Sequence, residues 1–199
     1  MGIFSRKSET PVEAFDAPTA AIEDISGDYV LDAVHSNLGF SARHAMVTTV
    51  RGSFKVFEGT AHIDTANPSA SSVSLTIDAA SVTTGNADRD GHLLSGDFFK
   101  KEEHPHLTFT STGVSFDGET WEITGDLTIN GVAHPVTVPF EQTGSAKDPY
   151  GNIRVGFEGA TSINRADWGL TFNAALETGG VLISDKVKLE FDISAIKNA

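Results

Sequence analysis

From Gly27 onward, apolar and polar residues alternate with a period of two, as expected for strands with one buried and one wet face. Val73, Leu75 and Ile77 alternate with Ser74, Thr76 and Asp78. Trp121, Ile123, Leu127 and Ile129 alternate with Glu122, Thr124, Asp126 and Thr128. Val136, Val138 and Phe140 share a face, as do Val155, Phe157, Thr161 and Ile163. Val187, Leu189, Phe191 and Ile193 stand against Lys186, Lys188, Glu190 and Asp192. One-sided burial predicts an antiparallel sheet, because parallel strands are covered on both faces.

Turn chemistry falls between these runs. Asn130-Gly131 predicts a type I′ hairpin, and Asp117-Gly118 predicts another. Residues 147–152 and Thr178-Gly179-Gly180 read as further turns. Residues 37–64 read as two strands around a bend at Ala45–Thr49. Their inward parity slips from Phe54 and Val56 to Phe57, Ala61 and Ile63, as a bulge would cause. Asp88 to Leu94 predicts a short helix, with cap-forming acids ahead of Leu93 and Leu94. About eight strands joined by sequential hairpins predict an all-β, eight-stranded antiparallel up-and-down barrel, whose closure removes sheet edges. Residues 1–26 mix acids and prolines without a period. They predict a flexible acidic N-terminal tail ahead of a barrel domain at 27–199.

The 199 residues suit one domain, and 39% hydrophobic content is enough to fill a core. Fourteen Lys and Arg against 27 Asp and Glu give a formal charge of -13. That balance argues against nucleic acid as a partner and against docking on an anionic membrane through a polybasic surface. No cysteine is present, which excludes disulfides and thiolate chemistry. No window approaches the ~18 apolar residues of a spanning helix. The run Ile3-Phe4 falls far short of the roughly 7–15 residues of a secretory core. A cytoplasmic protein without stable membrane insertion is the expectation.

Motifs for chemistry are sparse. His104-Pro105-His106 brings two imidazoles together, yet no ligand cluster has metal-site spacing, so neither metal nor cofactor is expected. Ser194 to Lys197 matches SxxK at a strand end, without its companion motifs. A barrel of eight strands encloses room for side chains or one small ligand. Gly125, Gly156, Gly159, Ala160 and Thr161 interrupt the bulky positions. Such residues either leave space for an apolar pocket or merely let strands coil.

Specific strings add to this pattern. Asp32-Ala33-Val34-His35-Ser36 leads into Phe40-Ser41-Ala42-Arg43-His44 and Val50-Arg51-Gly52-Ser53-Phe54. Arg89-Asp90-Gly91-His92-Leu93, Asp97-Phe98-Phe99 and the run from Pro105 to Thr112 follow. The run from Gly125 to Val132, then Pro135-Val136, and Asn164-Arg165-Ala166-Asp167-Trp168-Gly169-Leu170 complete the set. In this order they resemble the YceI-like family of bacterial polyisoprenoid-binding proteins, over about residues 28 to 196.

The resemblance implies a lipocalin-like barrel whose tunnel holds a long isoprenoid, such as a quinone tail, in a protein that is often a homodimer. On that expectation Phe40, Phe54, Phe109, Leu127, Phe157, Trp168 and Phe172 line the tunnel, or else belong to plain core. His35, His44, Arg51 and Asn164 would gather at one mouth around a head group, in company with Arg89, Asp90, His92, Arg165 and Asp167. Their structural alternative is to cap turns and pair with carboxylates that close the barrel end. The expected function is non-catalytic binding, storage or transport of a neutral isoprenoid. The alternatives are an enzyme using the His/Asp/Arg group on a lipophilic substrate, and an interaction module with a side-chain-filled barrel.

Overall fold

The alternating runs become eleven strand segments in one antiparallel sheet, in a computed structural model that describes residues 24–177 and 179–198. They are β1 (Gly27–Leu31), β2 (Asn37–His44), β3 (Thr48–Phe54), β4 (Phe57–Ile63), β5 (Ser72–Asp78) and β6 (Val82–Thr83), then β7 (His106–Phe116), β8 (Thr120–Ile129), β9 (Val132–Lys147), β10 (Ile153–Asn164) and β11 (Ile183–Lys197). One helix, α1 (Ala87–Leu93), lies between β6 and β7.

Eleven segments make eight staves. β1 and β2 follow one another along the same edge of β11, through Leu31↔Ala195 and then Asn37↔Asp192. β4 and β3 in turn pair β1 and β2, and β5 and β6 pair β4 and β3. Each of these three staves is one strand interrupted by a kink. With β7 to β11 they close a cycle in chain order, the β1–β11 pairing sealing it. The closed cycle runs through β1, β4, β5 and β7 to β11, while β2 and β3 extend from β11 and end on the two-residue strand β6.

The parity slip near Val56 is a break of this kind. Phe54 and Phe57 are both buried while Val56 is 58% exposed, so the slip spans two outward residues, Lys55 and Val56, instead of a one-residue bulge. Val56, expected inside, points out, because its carbonyl accepts Asp78 N at 3.0 Å in place of a ladder bond. The Asn130-Gly131 hairpin joins Ile129 to Val132 as expected, with φ of 53° and 72°. Ala45 and Met46 form a turn of the same kind, φ 49° and 60°, with Val47 N donating to His44 O at 3.0 Å. Helix α1 starts at Ala87, one residue before the expected Asp88, because Asn86 is the cap and accepts Arg89 N at 2.9 Å.

Both ends of the barrel are packed. At one, Phe98 and Phe99 behind α1 bury against Phe54, Leu38 and Trp168. At the other, Tyr29, Trp121, Val155 and Ile25 form a second cluster. The Tyr29 hydroxyl donates to the Ile25 carbonyl at 2.7 Å, and Ser26 Oγ lies 2.7 Å from Thr65 Oγ1. Residues 24–26, read from sequence as tail, therefore seat on the barrel floor. Residues 1–23, the bulk of the expected tail, lie outside the described residues.

Candidate functional site

Between the two packed ends the barrel is hollow. Its cavity, about 190 Å³, is lined along β8 from Trp121 to Ile129, a span of about 27 Å at the usual strand rise. Leu75 and Phe109, paired on the neighbouring strands β5 and β7, and Phe140, Phe157 and Phe191 on β9 to β11, form its waist. Apart from His62, Ser71 and the Trp121 indole, every lining residue is hydrocarbon or glycine. Water needs two to four polar partners to be held in such a space, so this wall favours hydrocarbon over solvent. The Trp121 N–H is buried without an acceptor, whereas the Trp168 N–H donates to the Leu127 carbonyl at 2.8 Å.

Glycines hold the channel open, through aromatic rings on the neighbouring strand. A Cβ at Gly125 would fall 2.5 Å from the Phe109 ring, and one at Gly159 would fall 2.5 Å from Phe140. A Cβ at Gly52 would likewise collide with Phe40. Each ring lies over the bare backbone of the neighbouring strand, in the space that a side chain there would take. The sequence alternatives for these glycines, space or coiling, meet in one arrangement: the glycine takes the ring, and the lumen keeps the volume.

Five of the expected lining residues, Phe40, Phe54, Phe109, Leu127 and Phe157, border the cavity. Trp168 and Phe172 do not. Trp168 is buried in the 3₁₀ turn Arg165–Trp168 that packs over one end, with the His134 ring 5.2 Å away. Phe172 packs against His92 and Phe98 at 4.7 and 5.4 Å. Other lining residues, among them Phe140, Leu189, Phe191 and Ile193, lie on faces that the alternation already marks as apolar. The strings alone do not single them out.

Of the polar residues expected at one mouth, Asn164, Arg165 and Asp167 share one turn near His92, while His35 and Arg51 lie elsewhere. None of them borders the cavity. His35 is exposed and its Nδ1 lies 2.7 Å from Asp32 Oδ2. His44 ends β2 in solvent, and Arg51 points outward from β3. Asn164 caps the 3₁₀ turn, accepting Ala166 N at 3.1 Å. Asp90 accepts from Thr84 N at 2.8 Å, and Arg89 Nε donates to Thr84 Oγ1 at 2.6 Å, which ties α1 to the segment after β6. His92 Nε2 lies 2.8 Å from Asp97 Oδ2.

Two arginines act as clasps. Arg165, 4% exposed, donates to the carbonyls of Leu170, Phe172 and Ser184 and to Asp185. It organises the loop between β10 and β11. Arg154 bridges Asp32 and Asp148, at 2.5 and 2.9 Å, and so pins the kink between β1 and β2 to the turn between β9 and β10. The Arg154 guanidinium, aided by His35, holds the Asp32 carboxyl at about 2, below its ordinary 3.8. Hydrogen bonds from Asn152 and Arg154 hold Asp148 lower than usual as well. Among the described residues, no group of three or more His, Asp or Glu side chains is placed to share a metal ion.

Comparison with known proteins agrees with this geometry. The YceI-like domain matches residues 29–195. A UPF0312 protein of Ectopseudomonas mendocina is 41% identical over 165 residues, covering 80% of this chain and 86% of its own. The crystal structure of Burkholderia cenocepacia BcnA superposes with a TM-score of 0.72 at 25% identity, covering 82% of this chain and 98% of that one. A polyisoprenoid binding domain from Saccharophagus degradans shares the fold, with a TM-score of 0.64 at 23% identity over 85% of this chain and 98% of its own. With the match running from β1 into β11, the chain belongs to the YceI-like domain family.

Proposed function

We propose that this protein binds a long, neutral isoprenoid, of quinone or polyprenol type, inside the barrel and carries or stores it without chemical change. The observation that carries this reading is the continuous apolar channel, walled by Phe and Leu and free of lining cations. Burial contributes about 0.8 kcal/mol per methylene-sized group. Each such group of the tail that the channel removes from water adds to this gain, which is set against ~4–15 kcal/mol for lost freedom. Hydrocarbon burial is therefore the main source of affinity in such a channel. A diphosphate head would need cations at the wall, and none of the described arginines or lysines lines the channel. The shared fold of the Saccharophagus polyisoprenoid binding domain supports the reading by analogy. The dispersal of His35, Asp90 and Arg51 leaves the enzyme alternative without an assembled set of groups.

Native mass spectrometry of the freshly purified full chain tests the proposal. The expected spectrum shows a mass excess that organic extraction releases as a long isoprenoid, and the emptied protein takes up a long-tailed quinone in preference to a prenyl diphosphate. A bare mass together with no uptake of quinone would overturn the reading.

A further inference from the structure

The outer face of the strands that wall the channel carries a second feature. β2 and β11 turn Phe40, Leu189 and Phe191 inward. Outward, the same strands turn Arg43, Lys186 and Lys188, which line a shallow groove with Ser41, Ser162 and Ser184. Arg51 joins them on the next strand, since Ser41 pairs with both Arg51 and Lys188. From Asn37 to Phe54 the chain carries Arg43 and Arg51 and no acidic residue, in a protein whose overall charge is -13. Of the acids nearby in sequence, Asp185 is paired to Arg165 at 3.1 Å and Glu190 to Lys188 at 2.7 Å, while Glu177 sits in the adjoining loop.

An apolar tip adjoins this groove. Met46 and Val47, in the turn between β2 and β3, are 59% and 75% exposed. Val181, 40% exposed, comes from the neighbouring loop, which Ala45 N joins by donating to Leu182 O at 2.7 Å. Arg43 spans tip and groove, its guanidinium donating to the carbonyls of Met46 and Val47. Cations and hydroxyls set directly behind exposed hydrophobes match a bilayer surface, where phosphates lie above acyl chains.

We infer that this face docks reversibly on an anionic phospholipid bilayer. Met46, Val47 and Val181 enter the interface, and Arg43, Arg51, Lys186 and Lys188 meet the phosphates. Overall charge does not forbid this, because beyond a Debye length of about 8–10 Å the remaining acids are screened. Sequence-wide composition argues against a polybasic surface, but Arg43, Arg51, Lys186 and Lys188 are gathered toward the tip, while Glu190, Asp192 and the Glu158 opposite it lie farther along the same outer face. The docking stands apart from the identity of the cargo. It takes its purpose from the proposed function, since it would bring the channel wall against the phase in which isoprenoids dissolve.

Flotation of the full chain with vesicles free of isoprenoid tests docking separately from cargo. The expected result is at least tenfold more protein on phosphatidylcholine vesicles containing phosphatidylglycerol than on phosphatidylcholine alone, with the difference lost in high salt. Met46→Asp with Val47→Asp, and separately Lys186→Gln with Lys188→Gln, should each reduce retention at least fivefold with circular dichroism unchanged. Equal binding to the two vesicle types, no binding to either, or full retention by either folded variant overturns the inference. Cargo uptake by the native chain while vesicle binding fails would sink docking and leave the proposed function standing.

Discussion

The lumen and the loop ends of this barrel treat their interaction potential in opposite ways. Along the lumen Phe109, Phe140 and Phe40 lie against glycines and leave apolar surface facing a void, forgoing packing that a filled core would gain. At the ends nearly every polar group finds a partner, Arg165 four of them and Arg154 two carboxylates. The difference teaches that the family-like strings hold two kinds of residue. One kind keeps the barrel empty, and the other keeps an empty barrel shut. Substitution should separate them, cargo being lost from the first and stability from the second.

The largest effect belongs to the lumen. Phe109→Asp places a carboxylate in the waist, which an entering hydrocarbon tail would have to desolvate. Affinity for a long-tailed quinone should fall on the order of 10³-fold, ~4 kcal/mol, by titration of the emptied protein. The next concerns closure. Arg165→Met strips hydrogen bonds from the carbonyls of Leu170, Phe172 and Ser184 and should cost about 3–5 kcal/mol. Calorimetry should show the Tm lowered by roughly 10 °C. Cargo affinity below that Tm should be unchanged. Loss of binding in Arg165→Met with Phe109→Asp still competent would invert the division.

How much of this division is legible in the sequence follows from the range of the forces involved. Alternation reports the nearest neighbours of a strand, so the inward faces of Leu75, Leu127 and Leu189 can be read directly. The kinks at 32–36 and 79–81 turn locally on Asp32 and Asp78, which accept Val34 N and Ala80 N. That the strands on either side continue one stave, however, is set by pairing with the neighbouring strand, as when Asp32 N donates to Ser194 O. The segment 165–182 has no period, so the places of Trp168 and Phe172 depend on the Arg165 hydrogen bonds and the contact with α1. Aromatic parity therefore serves inside strands and fails in loops. The polar residues could not be placed because a strand position names a face, while a mouth requires the stagger of the whole sheet.

A smaller effect sharpens the account of the lumen. Gly125→Ala sets a Cβ 2.5 Å from both the Phe109 ring and the Thr110 carbonyl, so the ring must leave its place and the β7–β8 pairing must give as well. Quinone affinity should drop about tenfold, while a thinner unbranched chain loses less, as competition between the two ligands would show. On the closure side, Asp32→Asn breaks one arm of the Arg154 clasp. Because folding lowers the Asp32 pKa from 3.8 to about 2, its contribution is complete above about pH 4 and fades as pH falls toward 2. The variant should melt below the native chain at pH 7, and the two melting curves should converge across that acid window. A gap that stays constant down to pH 2 would remove the carboxylate from the account.

The smallest effect sits where the two regions meet, in a pair of hairpin tips. Asn130-Gly131 and Ala45-Met46 both hold two successive residues at positive φ, a conformation that suits the first pair and strains the second. If stability alone chose residues, the second tip would resemble the first. Ala45→Asn with Met46→Gly should therefore raise the Tm by about 2 °C. It should also lower retention on phosphatidylglycerol vesicles, because the exposed Met46 side chain is gone. Calorimetry and flotation on the same sample decide the matter. A rise in Tm with retention intact would mean that the strain serves something other than the bilayer. A fall in both would mean that Ala45 and Met46 hold the turn through packing, as the Met46 contact beside Gly180 would then suggest.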